Sequence, residues 1–327
     1  MRKLLTFFLL LALAFGAWLG WALLAPIAPS GQKFVMLRSG YTTRRIANEL
    51  RSAGVIRSER AFLLWHYFHH RSSLKAGEYL FEKPATLVDV HHRLARGDIY
   101  THTVVIPEGY TMFDVAQTIE QAGLGSKEEF LKVARGDTDL IHDLAPEATT
   151  LEGYLFPDTY ELTRTQSMRD IATVMVHHFR QVASDIGLAT DVHRTVTMAS
   201  IVEKETAAPE ERPLVTSVYY NRLTKRMALD ADPSVIYAEL LANTYQGALH
   251  HDDLQTRSPY NTYKYPGLPP GPIANPGRSS LEAAMHPAVS DYLYFVSNGN
   301  GHHRFARSLE EHNRNVTAFR HALQHRP

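Results

Sequence analysis

Two carboxylates in the stretch "TMASIVEKETAAPEERPLVTSVYYNRL", residues 197–223, have the types and spacing that could do chemistry: Glu203 and Glu205 end a run with the apolar spacing of a packed helix. A buried carboxyl resists ionisation, and an acid that still holds its proton at neutral pH is what a leaving group needs. On a helical wheel Val192, Val196, Ala199 and Glu203 share one stripe, whereas Glu205 lies under Ile201 and beside Met198 on the opposite side, with Lys204 between them. Met198, Ala199, Ile201 and Val202 point in almost every direction, so the helix is expected to be enclosed, and Glu203 is the candidate general acid. The same spacing also fits a solvated helix end in which Lys204 screens both carboxylates, and spacing alone leaves the two readings open.

Other chemistries find less support. The chain has no cysteine, which removes thiol nucleophiles, thiolate metal sites and disulfides. Its 18 histidines include adjacent pairs such as His69-His70, His91-His92 and His302-His303, but helical neighbours point about 100° apart and no H-E-x-x-H occurs. Surface histidine is the reading adopted, and no metal is expected. There is no G-x-S-x-G, and Ser200 sits mid-helix where no nucleophile elbow forms. Phosphate loops and dinucleotide fingerprints are absent as well. Lys plus Arg and Asp plus Glu both total 34, so no single-sign field argues for nucleic acid.

The elements that must position these carboxylates read as an α+β chain of about two domains. Residues 4–25 carry no charge and, as a helix, reach about 33 Å, enough to cross a membrane. Arg2 and Lys3 would hold the N-terminus on the cytoplasmic side, with Trp18 and Trp21 suited to the far interface. A cleaved signal peptide competes, but the run is long and "APIAPSGQ" offers a poor cleavage site, so an uncleaved anchor is favoured. Further on, "VMLRSGYTTRRIANELRSAGV" at 35–55 aligns without a gap on "VVIPEGYTMFDVAQTIEQAGL" at 104–124. Each copy reads as a strand, a glycine turn, Thr42 or Thr111 as helix cap, an amphipathic helix and a glycine stop, and the shared landmarks suggest duplication. Helices are expected over 167–186, 189–205, 210–225, 233–241 and 308–324, and a strand in "YLYFVSN". Between them, "QTRSPYNTYKYPGLPPGPIANPG" at 255–277 is too rich in proline and glycine for regular structure, and its tyrosines and asparagines suit an ordered loop facing a ligand.

Taken in order after an N-terminal anchor, "LEGYLFPDTYEL", "TMASIVEKETAAPEERPLVTSVYYNRL", "LDADPSVIYA", "SPYNTYKYPGLPPGPIANPG" and "YLYFVSNGNGHHRFARSLEEHNRNV" closely resemble the endolytic murein transglycosylases of the MltG or YceG-like family. The resemblance implies a single-pass inner-membrane protein of bacteria with an extracytoplasmic catalytic part. Its expected divisions are an anchor at 1–25, a linker at 26–34, a small LysM-like α/β subdomain with duplicated strand-helix units at 35–103, and a mixed α+β catalytic domain at 104–327. The implied substrate is the glycan strand of peptidoglycan, cut between N-acetylmuramic acid and N-acetylglucosamine, with peptidoglycan synthases as possible company. Within "ASIVEKE" the family's catalytic glutamate is matched to the first, Glu203. One carboxyl suffices: it donates a proton to the glycosidic oxygen, then takes one from the muramic acid C6 hydroxyl as a 1,6-anhydro ring closes, unlike the paired carboxylates of glycoside hydrolysis.

The resemblance also suggests a wall for the sugar at Ser258, Tyr260, Asn261 and Tyr263, with Glu152, Tyr160 and Asp232 in the other motifs orienting the sugar or the helix; each of these last three fits a structural hydrogen-bonding role equally well. Asp230 and Ser234 stand where many relatives have Gln and Thr, which would alter sugar contacts. The rival from another class is a non-catalytic wall-binding or division scaffold. An older label on relatives, aminodeoxychorismate lyase, would require pyridoxal phosphate on a lysine; no cofactor is expected.

Overall fold

The computed structural model describes residues 1–69 and 72–324, so one expected histidine pair, His69-His70, lies partly outside the described residues. The chain forms two units. The first comprises residues 1–103 and 161–167, the second 104–160 and 168–327. The return of 161–167 to the first unit is not in the sequence reading, which draws a single boundary after 103.

The first unit holds α1 (Arg2–Leu24), β1 (Lys33–Leu37), α2 (Thr43–Ser52), α3 (Glu59–Phe68), β2 (Gly77–Phe81) and α4 (Leu87–Arg96), and β3 (His102–Val105) carries the chain out of it. β1 and β2 pair antiparallel, Lys33 opposite Phe81 and Leu37 opposite Gly77. Leu37, Leu50, Phe62, Tyr79 and Leu94 make a core between this ribbon and the helices. The apolar helix α1 is exposed along most of its length, yet Ala22 is 2% exposed and Leu19 and Leu23 pack on the same core. Residues 26–34, the expected linker, are also tied to this unit. Ile27 exchanges backbone hydrogen bonds with Ala85 at 2.9 and 3.1 Å, and the Arg57 guanidinium donates to the carbonyls of Ala25 and Pro26.

The second unit continues with α5 (Met112–Gln121), α6 (Lys127–Gly136), β4 (Thr159–Leu162), which returns the chain, α7 (Met168–Asp185), α8 (Val192–Glu205), α9 (Arg212–Thr224), α10 (Asp232–Ala242), α11 (Arg278–Met285), β5 (Tyr294–Ser297), β6 (His303–Ala306) and α12 (Leu309–Gln324). The two aligned stretches fold alike. Thr42 accepts from the amide of Arg45, Thr111 from that of Asp114, and each helix stops before a left-handed glycine, Gly54 at φ 74° and Gly123 at φ 68°, where a side chain would be strained. β5 and β6 form a hairpin with Tyr294 opposite Ala306; its second strand is absent from the sequence reading because glycines, histidines and arginines mask the alternation. α8 is the central helix, packed by α9, α10 and α11, and from Thr195 to Val202 every residue is buried.

Candidate active site

At the C-terminal end of α8 the chain leaves the core with Glu203, Lys204 and Glu205, and the structure sends the three side chains to different places. Glu203 is held internally: one oxygen accepts from Arg212 Nη2 at 2.8 Å and the other from the Gly277 amide at 2.9 Å, and its side chain is 5% exposed. Glu108 adds a second carboxyl 3.6 Å from the same Arg212 nitrogen. Lys204 donates to the carbonyl of Gly109 at 3.2 Å, so it does not bridge the two glutamates.

Glu205 instead lines a cavity of about 330 Å³ together with Tyr219, Arg222, Asp232 and Tyr263. The Tyr219 hydroxyl donates to Glu205 Oε1 at 2.8 Å. Burial is the largest influence on this carboxyl and, with the nearby charge of Asp232, outweighs the opposing Tyr219 hydrogen bond and Arg222 charge, so that its pKa is pushed up to about 7. Wheel geometry put Glu203, not Glu205, on the face chosen for chemistry; in the fold Arg212 and the Gly277 amide hold Glu203, and the open space adjoins Glu205.

The cavity walls come from several elements. Tyr219 and Arg222 are three residues apart on α9 and share a face. Arg222 donates to the carbonyls of Leu229 at 2.9 Å and Leu293 at 2.7 Å and pairs with Asp230 at 3.1 Å, tying the 226–230 turn to the β5 hairpin. Asp232 opens α10 and accepts from the Tyr263 hydroxyl at 2.6 Å. Phe295 of β5 meets Tyr219 edge-on at 5.8 Å, and His312 of α12 stacks on Tyr294 at 5.2 Å. Burial and the Arg222 charge lower the His312 pKa.

Of the residues the sequence singled out as substrate contacts, Asp232 and Tyr263 reach this cavity. The others have different surroundings. Glu152 is 1% exposed and accepts from the Met112 amide, the first of α5, and from Asn275; burial pushes its pKa up to about 8. Tyr160 is 6% exposed and donates to the carbonyl of Phe156. Asn261 is fully buried and donates to the carbonyls of Leu254 and Thr256 while accepting from the Tyr263 amide at 3.0 Å, which shapes the loop that delivers Tyr263. The Ser258 hydroxyl accepts from the Tyr260 amide in the same turn, and the Tyr260 ring packs on Tyr237 at 5.1 Å. Asp230, whose difference from relatives raised the question of sugar contacts, sits on the cavity rim paired with Arg222, and Ser234 is buried with its hydroxyl 2.8 Å from that of Thr262. Tyr219 and Arg222 escaped the sequence reading, although their i, i+3 spacing in "VYYNRL" was the available signal. Among the described residues no group of three or more His, Cys, Asp or Glu is arranged to hold a metal ion.

Residues 35–318 match the sequence profile of the YceG-like family. The chain is 35% identical over 323 residues to a Bacillus subtilis protein named endolytic murein transglycosylase, covering 91% of this chain and 89% of that one. A Streptococcus pneumoniae protein of the same name is 30% identical across 90% of this chain, which spans 60% of that longer relative. The crystal structure of a yceG-like protein from Listeria monocytogenes superposes with a TM-score of 0.57 at 34% identity, over 86% of this chain and 98% of that one. With the profile covering most of its length, and relatives of this identity across nine-tenths of it, the chain belongs to the YceG-like family.

Proposed function

We propose that the protein is a lytic transglycosylase of peptidoglycan in which Glu205 is the single acid and base. The observation that carries this reading is a half-buried carboxyl beside an open cavity, with a pKa near 7 that keeps a substantial fraction protonated at neutral pH. The named activity of the relatives supplies the substrate class, murein, and the motif resemblance puts the cut at the muramic acid to glucosamine linkage. Protonated Glu205 gives its proton to the glycosidic oxygen as the bond from C1 to that oxygen breaks, releasing the glucosamine 4-hydroxyl and leaving oxocarbenium-like charge on the muramic acid. The muramic acid C6 hydroxyl then attacks C1, and its proton passes to the Glu205 carboxylate, which closes the 1,6-anhydro ring and restores the acid. The nucleophile belongs to the substrate, so no second carboxyl is obligatory. Asp232 lines the same cavity, and its negative charge would favour the developing cation.

The remaining features fit a protein working at a membrane. α1 is apolar, 23 residues long and near the N-terminus, as an anchor with the catalytic unit outside the cytoplasm requires. The first unit would then present the glycan, in line with the LysM-like expectation for residues 35–103.

Digestion of purified sacculi, with mass spectrometry of the products, tests the assignment. Wild-type chain yields 1,6-anhydro ends, and Glu205→Gln lowers their release at least about 100-fold. Glu203→Gln lowers stability by weakening the internal pair with Arg212 but still releases anhydro ends from folded molecules. The opposite ranking of the two variants returns the acid to Glu203, and cleavage that leaves reducing ends replaces lytic chemistry with hydrolysis.

A further inference from the structure

The glutamate just assigned has two oxygens that are not equivalent. Glu205 Oε1 receives the Tyr219 hydroxyl at 2.8 Å, and Tyr219 is 1% exposed, anchored edge-on against Phe295. A tyrosine hydroxyl has one hydrogen to give. Burial and the neighbouring glutamate push the phenol's own pKa well above its ordinary value, so Tyr219 stays a donor across the whole working range. An oxygen that accepts from a fixed neutral donor is the carbonyl oxygen of the protonated acid, which puts the acidic hydrogen on the other oxygen.

We propose that Tyr219 is a positioning residue: by occupying Oε1 it leaves Oε2 as the atom that gives the proton to the glycosidic oxygen and takes one back from the C6 hydroxyl. This rests on the reading of Glu205 as the acid. When Oε2 has given up its proton, the bond from Tyr219 becomes charge-assisted and strengthens, which stabilises the carboxylate midway through the reaction. Tyr219 therefore opposes burial and draws the working range of the enzyme toward lower pH. The other charged and titratable groups bordering the same cavity are Arg222 from α9, Asp230 from the turn before α10, Asp232 from α10, Tyr263 from the following loop, Tyr294 from β5 and His312 from α12. Arg222 and Asp230 pair with each other and Asp232 is hydrogen-bonded by Tyr263, while the Glu205 carboxyl receives the Tyr219 hydroxyl.

The test compares purified full-length wild type with Tyr219→Phe, which keeps the ring and removes the hydroxyl. The acid must be protonated at the start of the cycle, so the alkaline limb of kcat/KM reports Glu205. Loss of a bond that favours the charged form raises that pKa, and the limb moves up by about one pH unit, with the side-chain carboxyl carbon of Glu205 in ¹³C NMR moving by the same amount. A lower melting temperature with both titrations unchanged would make Tyr219 merely structural and overturn the proposal. The wild type supplies a measurement that does not depend on the variant folding: the Tyr219 Cζ resonance should inflect near pH 7, where Glu205 titrates, and a flat Cζ profile also overturns it. A Glu205→Gln chain as active as wild type overturns the parent reading instead, whatever Tyr219 does.

Discussion

At the scale of single residues, Asp232 and Tyr219 act on Glu205 in opposite senses. The negative charge of Asp232 raises the Glu205 pKa, whereas the Tyr219 hydrogen bond lowers it. Asp232→Asn keeps an oxygen for the Tyr263 hydroxyl and removes the charge. The alkaline limb of activity should then move to lower pH, by up to about one unit, the reverse of the Tyr219→Phe displacement. A limb that stays in place would mean the Asp232 charge is screened from the acid. These neighbours also explain why the sequence could not choose between Glu203 and Glu205. Two glutamates two residues apart in the last turn of one helix have the same local pattern, and their difference comes from residues further along the chain: Arg212 and Gly277 for one, Tyr219 and Asp232 for the other.

At the scale of elements, Glu152 shows how a motif residue can serve the site by holding elements together. Its carboxyl faces the N-terminal end of α5, where helix amides lack partners, and Asn275 from the proline-rich loop completes its hydrogen bonds. Burial raises its pKa from an ordinary 4.5 to about 8, so folding takes up a proton between those values. Its contribution to stability is therefore complete below about pH 4.5, declines as pH rises, and is lost above about pH 8, a span worth on the order of 5 kcal/mol. Glu152→Gln has no proton to lose. Melting temperatures measured from pH 5 to pH 9 should fall less steeply for Glu152→Gln than for wild type, and parallel curves would show that Glu152 is not neutral inside the fold. The helices themselves were legible: the apolar spacing and the caps at Thr42 and Thr111 place α2 and α5 close to their observed ends. Legibility failed for two reasons: around β6 the alternation is masked by glycines, histidines and arginines, and the buried hydrogen bonds of Asn275 join it to Tyr110 and Glu152, far away in sequence.

At the scale of the whole molecule, the end of α1 bears on whether the apolar segment stays attached. A leader cut after Ala28 would remove Leu19, Ala22 and Leu23 from the core of the first unit, together with both carbonyls held by Arg57. Arg57 also lies over the Trp21 ring at 4.9 Å, so the same cut would strip its guanidinium of three partners at once. Burial of these side chains is worth about 3 kcal/mol. A chain beginning at residue 18 keeps these contacts and one beginning at residue 29 loses them. For a unit of this size the shorter chain should melt several degrees lower, followed by hydrogen exchange of the β1–β2 amides, which report the first unit alone. Equal protection in the two chains would make residues 26–34 a free tether and a cleaved leader compatible with an intact fold; a clear loss would mean that the last turn of the apolar helix is as much a part of the first unit as Leu50 or Phe62, and that anchoring and folding draw on the same residues.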